Sequence, residues 1–278
     1  DTVAVECPNY FGVYQAVESL GLKVVEIPAD PVTGLDLDCL QKTIKKYDIK
    51  ACLCVPNFNN PLGSCMPDEN KKKLVEIITK HNIPLIEDDI YGELYFGKKR
   101  PHTCKYYDTK GLVMHCSSLS KSLAPGYRIG WCMPGKFFEQ VKHLKRIQNI
   151  SSPTLTQAAM AHFLKNGRYE YHLKNLRKAL HTQSMRYVQA IIEYFPSDTK
   201  VSRPHGGFTL WLELNKKVNC FALRNEAMKH KISFVPGKIF SASCNYSNCM
   251  RISFGKPWTE DMDYGLMMLG KLIAKMSR

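Results

Sequence analysis

The sequence predicts an α/β protein with a large domain on a mostly parallel sheet and a smaller C-terminal α+β domain. Through residues 1–150, short apolar segments alternate with segments of helical spacing, which is typical of a wound parallel sheet. After Pro196 the pattern changes to short alternating strands. A chain of 278 residues with 44% apolar content can bury cores for both units. We therefore expect a large domain at 1–180 and a small domain at 181–278.

Each element follows from its apolar spacing. The predicted strands are 1–6, 23–27, 51–55, 84–87 and 112–114 in the large domain, and 207–214 and 250–254 in the small one. The predicted helices are 11–21, 36–47, 67–81, 136–147, 156–166, 168–194 and 259–276, with Asp36 as an N-cap. Polar residues follow several of the strands, so we expect a site at the carboxyl edge of the sheet.

Composition narrows the class of protein. No apolar run approaches the roughly 18 to 20 residues of a membrane span, and residues 1–5 lack the pattern of a signal peptide. We expect a cytoplasmic protein without a membrane partner. The 11 cysteines form no C-x-x-C pair and no His/Cys cluster, which favours reduced packing thiols and predicts no metal site.

The net charge of +14 has two interpretations. Much of it lies in lysine-rich helical segments, such as 71–73 and 142–146. Such segments are usually solvated helix faces. The alternative is a partner with many negative charges, namely nucleic acid. Both interpretations stay open at this stage.

Lys121 is the strongest candidate for a catalytic residue. It follows the apolar strand 112–114 and lies among hydroxyl groups that include Ser118 and Ser120, with Arg128 further along the chain. A lysine amine desolvated by such surroundings can condense with a carbonyl, and an arginine on the buried side can bind an anion. The segment predicts a Schiff-base lysine beside a phosphate.

Four motifs in this order resemble those of the class I/II aminotransferases, the fold-type I family that uses pyridoxal 5'-phosphate. They are Asn60-Pro61-Leu62-Gly63, Asp88-x-x-Tyr91, Ser118-x-x-Lys121 with Arg128, and Met250-Arg251-Ile252-Ser253-Phe254. The resemblance covers essentially the whole chain, and each motif falls at the end of a predicted strand or within one. It implies a fold-type I transferase fold.

The resemblance also implies roles for the cofactor-binding residues. Asp88 would keep the pyridine nitrogen protonated, and Asn60 and Tyr91 would hydrogen-bond the phenolic oxygen. Lys121 would form the Schiff base and carry the proton at the substrate Cα.

The phosphate and the substrate have their own candidates. Ser118, Ser120 and Arg128 would hold the phosphate. Arg251, together with Asn60, would bind the substrate carboxylate. Tyr10 is a candidate for the aromatic side chain that stacks on the cofactor ring, and its alternative role is that of a tyrosine in the core or at a strand end.

One feature departs from the family pattern. In the family a segment precedes the first strand found here, and it includes a small-residue loop at a helix N-terminus that contributes backbone N–H groups to the phosphate. We therefore expect the large domain of this sequence to be N-terminally truncated, without part of its phosphate site and without the first strand of its sheet.

Within the family, three segments resemble MocR-type regulators, in which a GntR-like winged helix precedes an aminotransferase-like domain. They are 118–131, 169–177 and Pro204-His205-Gly206-Gly207. This implies an effector-sensing domain that binds an amino acid or 2-oxo acid, forms a homodimer and reaches DNA through an N-terminal winged helix. The alternative is a free-standing aminotransferase that transfers an amino group from an amino acid to a 2-oxo acid. A third possibility is a structural or interaction module.

Overall fold

The computed structural model describes residues 1–277, which form two sheets with helices around them. The large sheet has the order β3-β2-β1-β4-β5-β6-β7. Its strands are β1 (Thr2–Cys7), β2 (Lys23–Asp30), β3 (Gly34–Leu35), β4 (Ile49–Cys54), β5 (Leu85–Asp88), β6 (Val113–Ser118) and β7 (Gly130–Met133). This arrangement confirms the predicted fold class.

Five neighbouring strands of the large sheet run parallel to one another, in the spatial order β2-β1-β4-β5-β6. Only the edge strands β3 and β7 are antiparallel to the strands beside them. The carboxyl ends of the parallel strands therefore meet along one edge of the sheet, where Asp88 and Ser118 are the last residues of β5 and β6. This edge carries the candidate site described below.

Helices connect these strands and continue beyond them. They are α1 (Phe11–Ser19), α2 (Leu37–Lys46), α3 (Asp68–Lys80), α4 (Phe138–Asn149), α5 (Thr154–Lys165) and α6 (Arg168–Tyr194). The Asp36 side chain accepts a hydrogen bond from Cys39 N at 2.9 Å, so the predicted N-cap of α2 is confirmed. None of the described helices is long and apolar enough to cross a membrane.

The second sheet is antiparallel, with the order β10-β11-β9-β8. The strands of this sheet and the helices near them in the chain are β8 (Lys200–Val201), β9 (Thr209–Glu213), α7 (Cys220–Lys229), β10 (Val235–Pro236), β11 (Cys249–Ser253) and α8 (Glu260–Met276). Its core includes Leu210 and Met250, and it also takes in Tyr91 and Leu94 from the loop after β5. The domain boundary at residue 180 stays a prediction, and α6 runs across that position.

The structure corrects one expectation about charge. Lys71 is not a solvated lysine, because it is 0% exposed and its Nζ lies 3.1 Å from Asp68 Oδ1. It shares the buried face of α3 with Leu74 and Ile78, three and seven residues further along the helix. The neighbouring Lys72 and Lys73 are exposed, as is the segment 142–146.

Candidate functional site

A cavity of about 640 Å³ lies at the carboxyl edge of the large sheet, next to β9 and β11 of the small one. It is lined by all nine predicted site residues: Tyr10, Asn60, Asp88, Tyr91, Ser118, Ser120, Lys121, Arg128 and Arg251. Among the described residues, no group of three or more His, Cys, Asp or Glu side chains could hold a metal ion. These nine residues combine one carboxylate with three cations, one amide, two serine hydroxyl groups and two phenols.

Asp88 is the acidic group of the cavity. Its Oδ1 accepts a hydrogen bond from Ile90 N at 3.1 Å, which fixes the side chain at the end of β5. The pKa of Asp88 is raised to about 6, mainly by burial and also by the charge of Asp89, although the Ile90 N–H and the nearby His115 and Lys121 act to lower it. A cation placed against this carboxylate would relieve the cost of its burial.

Three polar side chains form a chain of hydrogen bonds across the cavity. Arg251 Nη1 donates to Asn60 Oδ1 at 2.8 Å, and Asn60 Nδ2 donates to the Tyr91 hydroxyl at 3.4 Å. Burial raises the pKa of Tyr91 to about 12, so its phenol stays protonated at neutral pH and can donate a hydrogen bond. The chain therefore presents neutral and cationic donors to a ligand.

Arg251 keeps an unused donor. Its Nε is buried and has no hydrogen-bond partner among residues 1–277. Burial also lowers the pKa of Arg251, because the guanidinium is partly removed from water. A buried donor without a partner costs free energy unless a ligand satisfies it. The chemistry of this side chain fits a carboxylate, which can accept two parallel bonds from a guanidinium.

The segment between β6 and β7 carries the remaining candidates. Ser118 Oγ accepts a hydrogen bond from Ser120 N at 3.2 Å. Arg128 has a left-handed backbone, with φ of 54°, and its Nη1 donates to Pro125 O at 3.2 Å. The hydroxyl groups of Ser118 and Ser120 and the guanidinium of Arg128 lie on the same connection between two strands, and all three are suitable donors for a phosphate.

Lys121 and Arg128 differ from expectation in their burial. We expected a desolvated amine and an arginine on the buried side, and both residues are exposed in this structure. Both residues lie on the connection that leads into β7, the last strand of the described sheet, whose four residues are also exposed. Their proposed contacts with a ligand stay predictions.

Tyr10 lies at the mouth of the cavity. It is 44% exposed, and its ring centroid lies 4.5 Å from that of Phe11. This placement disfavours the alternative of a buried core tyrosine. Stacking of Tyr10 on a cofactor ring stays a prediction.

The sequence analysis missed two groups around the site. Phe208 packs edge to face against Tyr91 with 5.5 Å between ring centroids, although its alternation with Leu210 had indicated only a strand. The second group surrounds Asp89, which accepts a hydrogen bond from Asn57 Nδ2 at 2.8 Å and pairs with Arg100. The tandem acids Asp88-Asp89 at the end of β5 were the available signal, because a second buried carboxylate needs a cation.

The network around Asp89 continues to helix α6. Arg100 Nε donates to Glu93 Oε1 at 2.8 Å. Arg177 of α6 donates from Nε to Glu93 O at 2.7 Å and from Nη2 to Glu93 Oε2 at 3.2 Å. Buried and half-buried charges thus hold the backbone that follows Asp88 against the long helix.

Comparison with known proteins gives a consistent result. The family aminotransferase class I and II matches residues 1–269. The chain is 40% identical to the uncharacterized HTH-type transcriptional regulator YjiR and 38% identical to the uncharacterized HTH-type transcriptional regulator YdcR, both of Escherichia coli (strain K12). Each match covers 98% of this chain and 58% of the relative, so the chain spans little more than half the length of these regulators.

A solved structure supports the same assignment. The crystal structure of Pyrococcus horikoshii kynurenine aminotransferase, in complex with PMP, matches with a TM-score of 0.95 and 27% identity. The match covers 100% of this chain and 70% of that enzyme. The family match and the fold agree. The chain belongs to the aminotransferase class I and II family.

Proposed function

We propose that this chain binds pyridoxal 5'-phosphate and an amino acid, and that it is the ligand-sensing domain of a MocR-type, HTH-containing transcriptional regulator. The observation that carries the proposal is the single cavity that collects Asp88, Lys121 and Arg251 together with the other predicted site residues. Each of these side chains offers the chemistry that one part of the cofactor or of the amino acid requires.

The donor set fits the cofactor. Asp88 would hold the pyridine nitrogen, because a buried carboxylate whose pKa is raised favours a cationic partner. Tyr91 and Asn60 would donate to the phenolic oxygen, and Ser118, with the neighbouring hydroxyl of Ser120 and the guanidinium of Arg128, would hold the phosphate. When bound, the cofactor supplies a carbonyl for the lysine amine and a ring that draws electrons from the substrate Cα.

The chain's own residues would handle the amino acid. Arg251 would bind its α-carboxylate through Nε, the donor that has no hydrogen-bond partner in the part of the chain that the structure describes. Lys121 would hold the cofactor covalently in the absence of substrate, and would take up and return the proton at the substrate Cα. The exposure of Lys121 leaves its amine accessible to a ligand that enters the cavity.

Regulation is favoured over catalysis by the relatives. The two regulators are 40% and 38% identical to this chain, against 27% for the kynurenine aminotransferase. In the proposed protein a winged-helix module outside the matched part binds DNA in the cytoplasm, and two copies of the chain form a homodimer. Ligand binding then shifts the balance between two arrangements of the DNA-binding module.

A free-standing aminotransferase is the second candidate. It is supported by the TM-score of 0.95 to a catalytically competent enzyme and by the complete set of Asn60, Asp88, Tyr91, Lys121 and Arg251 in the cavity. These residues would suffice for cofactor binding in either function. The two candidates differ in turnover and in DNA binding.

One preparation of the full-length protein can distinguish them. A regulator should bind a specific duplex with an affinity that falls steeply with salt, and cofactor with the right amino acid should change that affinity. Its keto-acid production should stay far below the roughly 1 to 1000 per second of ordinary enzymes. Turnover of several per second, combined with only nonspecific DNA binding, would replace the regulator with the aminotransferase.

A further inference from the structure

The turn that carries Lys121 has two faces. Leu119 and Ser122, which lie two residues before and one residue after the lysine, are 3% and 1% exposed. The backbone N–H groups of Leu123 and Ala124 donate to Leu119 O at 2.9 and 3.1 Å and close the turn. Lys121 lies on the other face and lines the cavity. The direction of its amine therefore depends on what holds the buried face.

Helix α6 holds the buried face of this turn. The hydroxyl groups of Ser122 and Tyr169 share a hydrogen bond at 2.7 Å. His172 Nε2 lies 2.9 Å from Ser122 O, and because a carbonyl oxygen can only accept, this nitrogen carries the proton. Leu119 packs in one apolar cluster with Tyr169 and Leu173. Positions 169, 172 and 173 lie on one face of the helix, so a single face holds residues on both sides of the lysine.

The bond between Ser122 and Tyr169 lies in the interior of the described chain. Tyr169 is 8% exposed, and among residues 1–277 its hydroxyl is the only hydrogen-bond partner of the Ser122 side chain. Burial raises the pKa of Tyr169, so the phenol stays protonated at neutral pH. Loss of the phenol hydroxyl would leave the Ser122 hydroxyl buried without a partner. That costs free energy, which the turn can relieve only by moving.

The same helix also reaches the acidic end of the cavity. Arg177 of α6 donates to Glu93 O at 2.7 Å and to Glu93 Oε2 at 3.2 Å. Glu93 also pairs with Arg100, the cation that pairs with Asp89. Arg177 lies eight residues beyond Tyr169, which corresponds to about 12 Å along a helix. One helix therefore sets the distance between the turn that carries the lysine and the acidic end of the cavity.

We propose that Tyr169 is a positioning residue for Lys121, which acts through Ser122 and aims the lysine amine at the carbonyl of the cofactor. The inference rests on the proposed function, in which the amine forms a C=N bond with the aldehyde carbon and its two protons leave with the aldehyde oxygen as water. Misplacing a reacting group by about 1 Å can cost about a hundredfold in rate. Partial loss of position in Tyr169→Phe should slow the condensation about tenfold, because the bond from His172 remains.

Hydrogen exchange of the cofactor-free, full-length protein tests the contact itself. Tyr169→Phe removes only the hydroxyl and keeps the ring in its apolar cluster. Tyr187→Phe is the matched control, because Tyr187 is a buried tyrosine of the same helix that packs in the core of the second sheet. The amides of Leu123 and Ala124 should exchange at least about threefold faster in Tyr169→Phe and at the wild-type rate in Tyr187→Phe. Equal exchange in the wild type and Tyr169→Phe overturns the proposal.

Two ligands separate positioning of the amine from general damage to the site. The rate constant for condensation with pyridoxal 5'-phosphate, followed by absorbance and borohydride trapping, should fall about tenfold in Tyr169→Phe and stay unchanged in Tyr187→Phe. The affinity for 4'-deoxypyridoxine 5'-phosphate, an analogue without the carbonyl, should be the same in all three proteins. If Tyr169→Phe weakens binding of the analogue as much as it slows condensation, the hydroxyl is structural and the proposal is overturned.

Ser122→Ala removes the other half of the hydrogen bond. It should slow condensation by the same factor as Tyr169→Phe, and the double variant should be no slower than either single variant. Losses that multiply in the double variant would show that the two hydroxyl groups act independently, which overturns the proposal. A wild type that binds neither ligand would refute the proposed function and the role of the amine with it. The exchange measurement needs no cofactor, so it decides separately whether the Tyr169 hydroxyl holds the turn.

Discussion

Replacing Asp88 with asparagine should stabilise the protein without cofactor at neutral pH. Burial raises the pKa of Asp88 from its ordinary value of 3.8 to about 6, because the ionised carboxylate has lost water and has no cationic partner at bonding distance among residues 1–277. Asparagine has the same shape, keeps an oxygen for the Ile90 N–H and carries no charge. The substitution therefore isolates the free energy of ionisation at this position.

The sign follows from proton linkage. A carboxyl whose pKa is higher in the folded state than in the unfolded state binds its proton more tightly when folded. The Asp88 carboxyl therefore does not change the free energy of unfolding below about pH 4. Its ionisation lowers that free energy progressively as the pH rises through about 6. The two pKa values differ by about two, which corresponds to about 3 kcal/mol at 1.36 kcal/mol per unit. Asp88→Asn should gain up to about this free energy of unfolding at pH 8 and nothing near pH 4.

Urea unfolding of the cofactor-free protein at pH 8, 6 and 4.5 measures this difference. Asp48→Asn is the matched control, because Asp48 is an exposed aspartate whose ion pair with the half-exposed Lys50 lies at the surface. The control should change little at any of the three pH values. If Asp88→Asn is less stable than the wild type at pH 8, the carboxylate has a stabilising partner and the burial argument is wrong.

Adding pyridoxal phosphate should reverse the order of stability of the wild type and Asp88→Asn. A cationic ring nitrogen against Asp88 supplies the partner that the carboxylate lacks, so the cofactor should raise the melting temperature of the wild type more than that of Asp88→Asn. Equal increases in both proteins would show that Asp88 does not hold the ring nitrogen.

Three further predictions concern the rest of the site. Arg251→Gln should weaken amino-acid binding by about 3 kcal/mol, or about a hundredfold, because it removes a charge-assisted pair. It should leave the cofactor absorbance nearly intact, and Arg186→Gln, which changes an exposed arginine, is the control. Equal loss of amino-acid and cofactor binding would show that Arg251 is a structural residue. Lys121→Ala should abolish covalent cofactor attachment, measured by borohydride reduction and peptide mass, and a labelled peptide from the variant would identify another lysine. Sedimentation of the full-length protein at micromolar concentration should give twice the monomer mass, and a monomer that still binds cofactor tightly would contradict the homodimer.

The arrangement of the site was predictable because it depends on strand ends. Asp88 and Ser118 end neighbouring parallel strands, and Asn60 lies in the loop after β4, so their proximity follows once the alternation of strands and helices is recognised. Arg251 was less accessible to this reasoning, because its strand belongs to the second sheet. Its contact with Asn60 spans 191 residues, and only the resemblance to the family indicated it.

Burial and long-range pairing were not predictable in the same way. Lys71 belongs to a run of three lysines whose composition indicates a solvated face, and only the packing of α3 places one of them inside. Glu93 meets Arg177 across 84 residues. Glu93 lies in no motif, and the segment 169–177 that contains Arg177 indicated no partner for it. Strand β7 is four residues long and follows a turn closely, so it offers too few alternating positions to be recognised.

The two ends of the cavity differ in how firmly the fold holds them. At the Asp88 end, Asp89 is buried and tied to Asn57 and Arg100, and through Glu93 to helix α6, so the carboxylate is positioned before any ligand arrives. At the Lys121 end, Leu119 and Ser122 tie the connection between β6 and β7 to helix α6, but the side chains of Lys121 and Arg128 themselves are exposed. A ligand that bridges both ends finds the Asp88 side chain already positioned, and it fixes the exposed side chains of Lys121 and Arg128. The conformational free-energy change on binding therefore arises mainly in the β6–β7 segment. That segment is therefore where occupancy can be converted into a change of conformation.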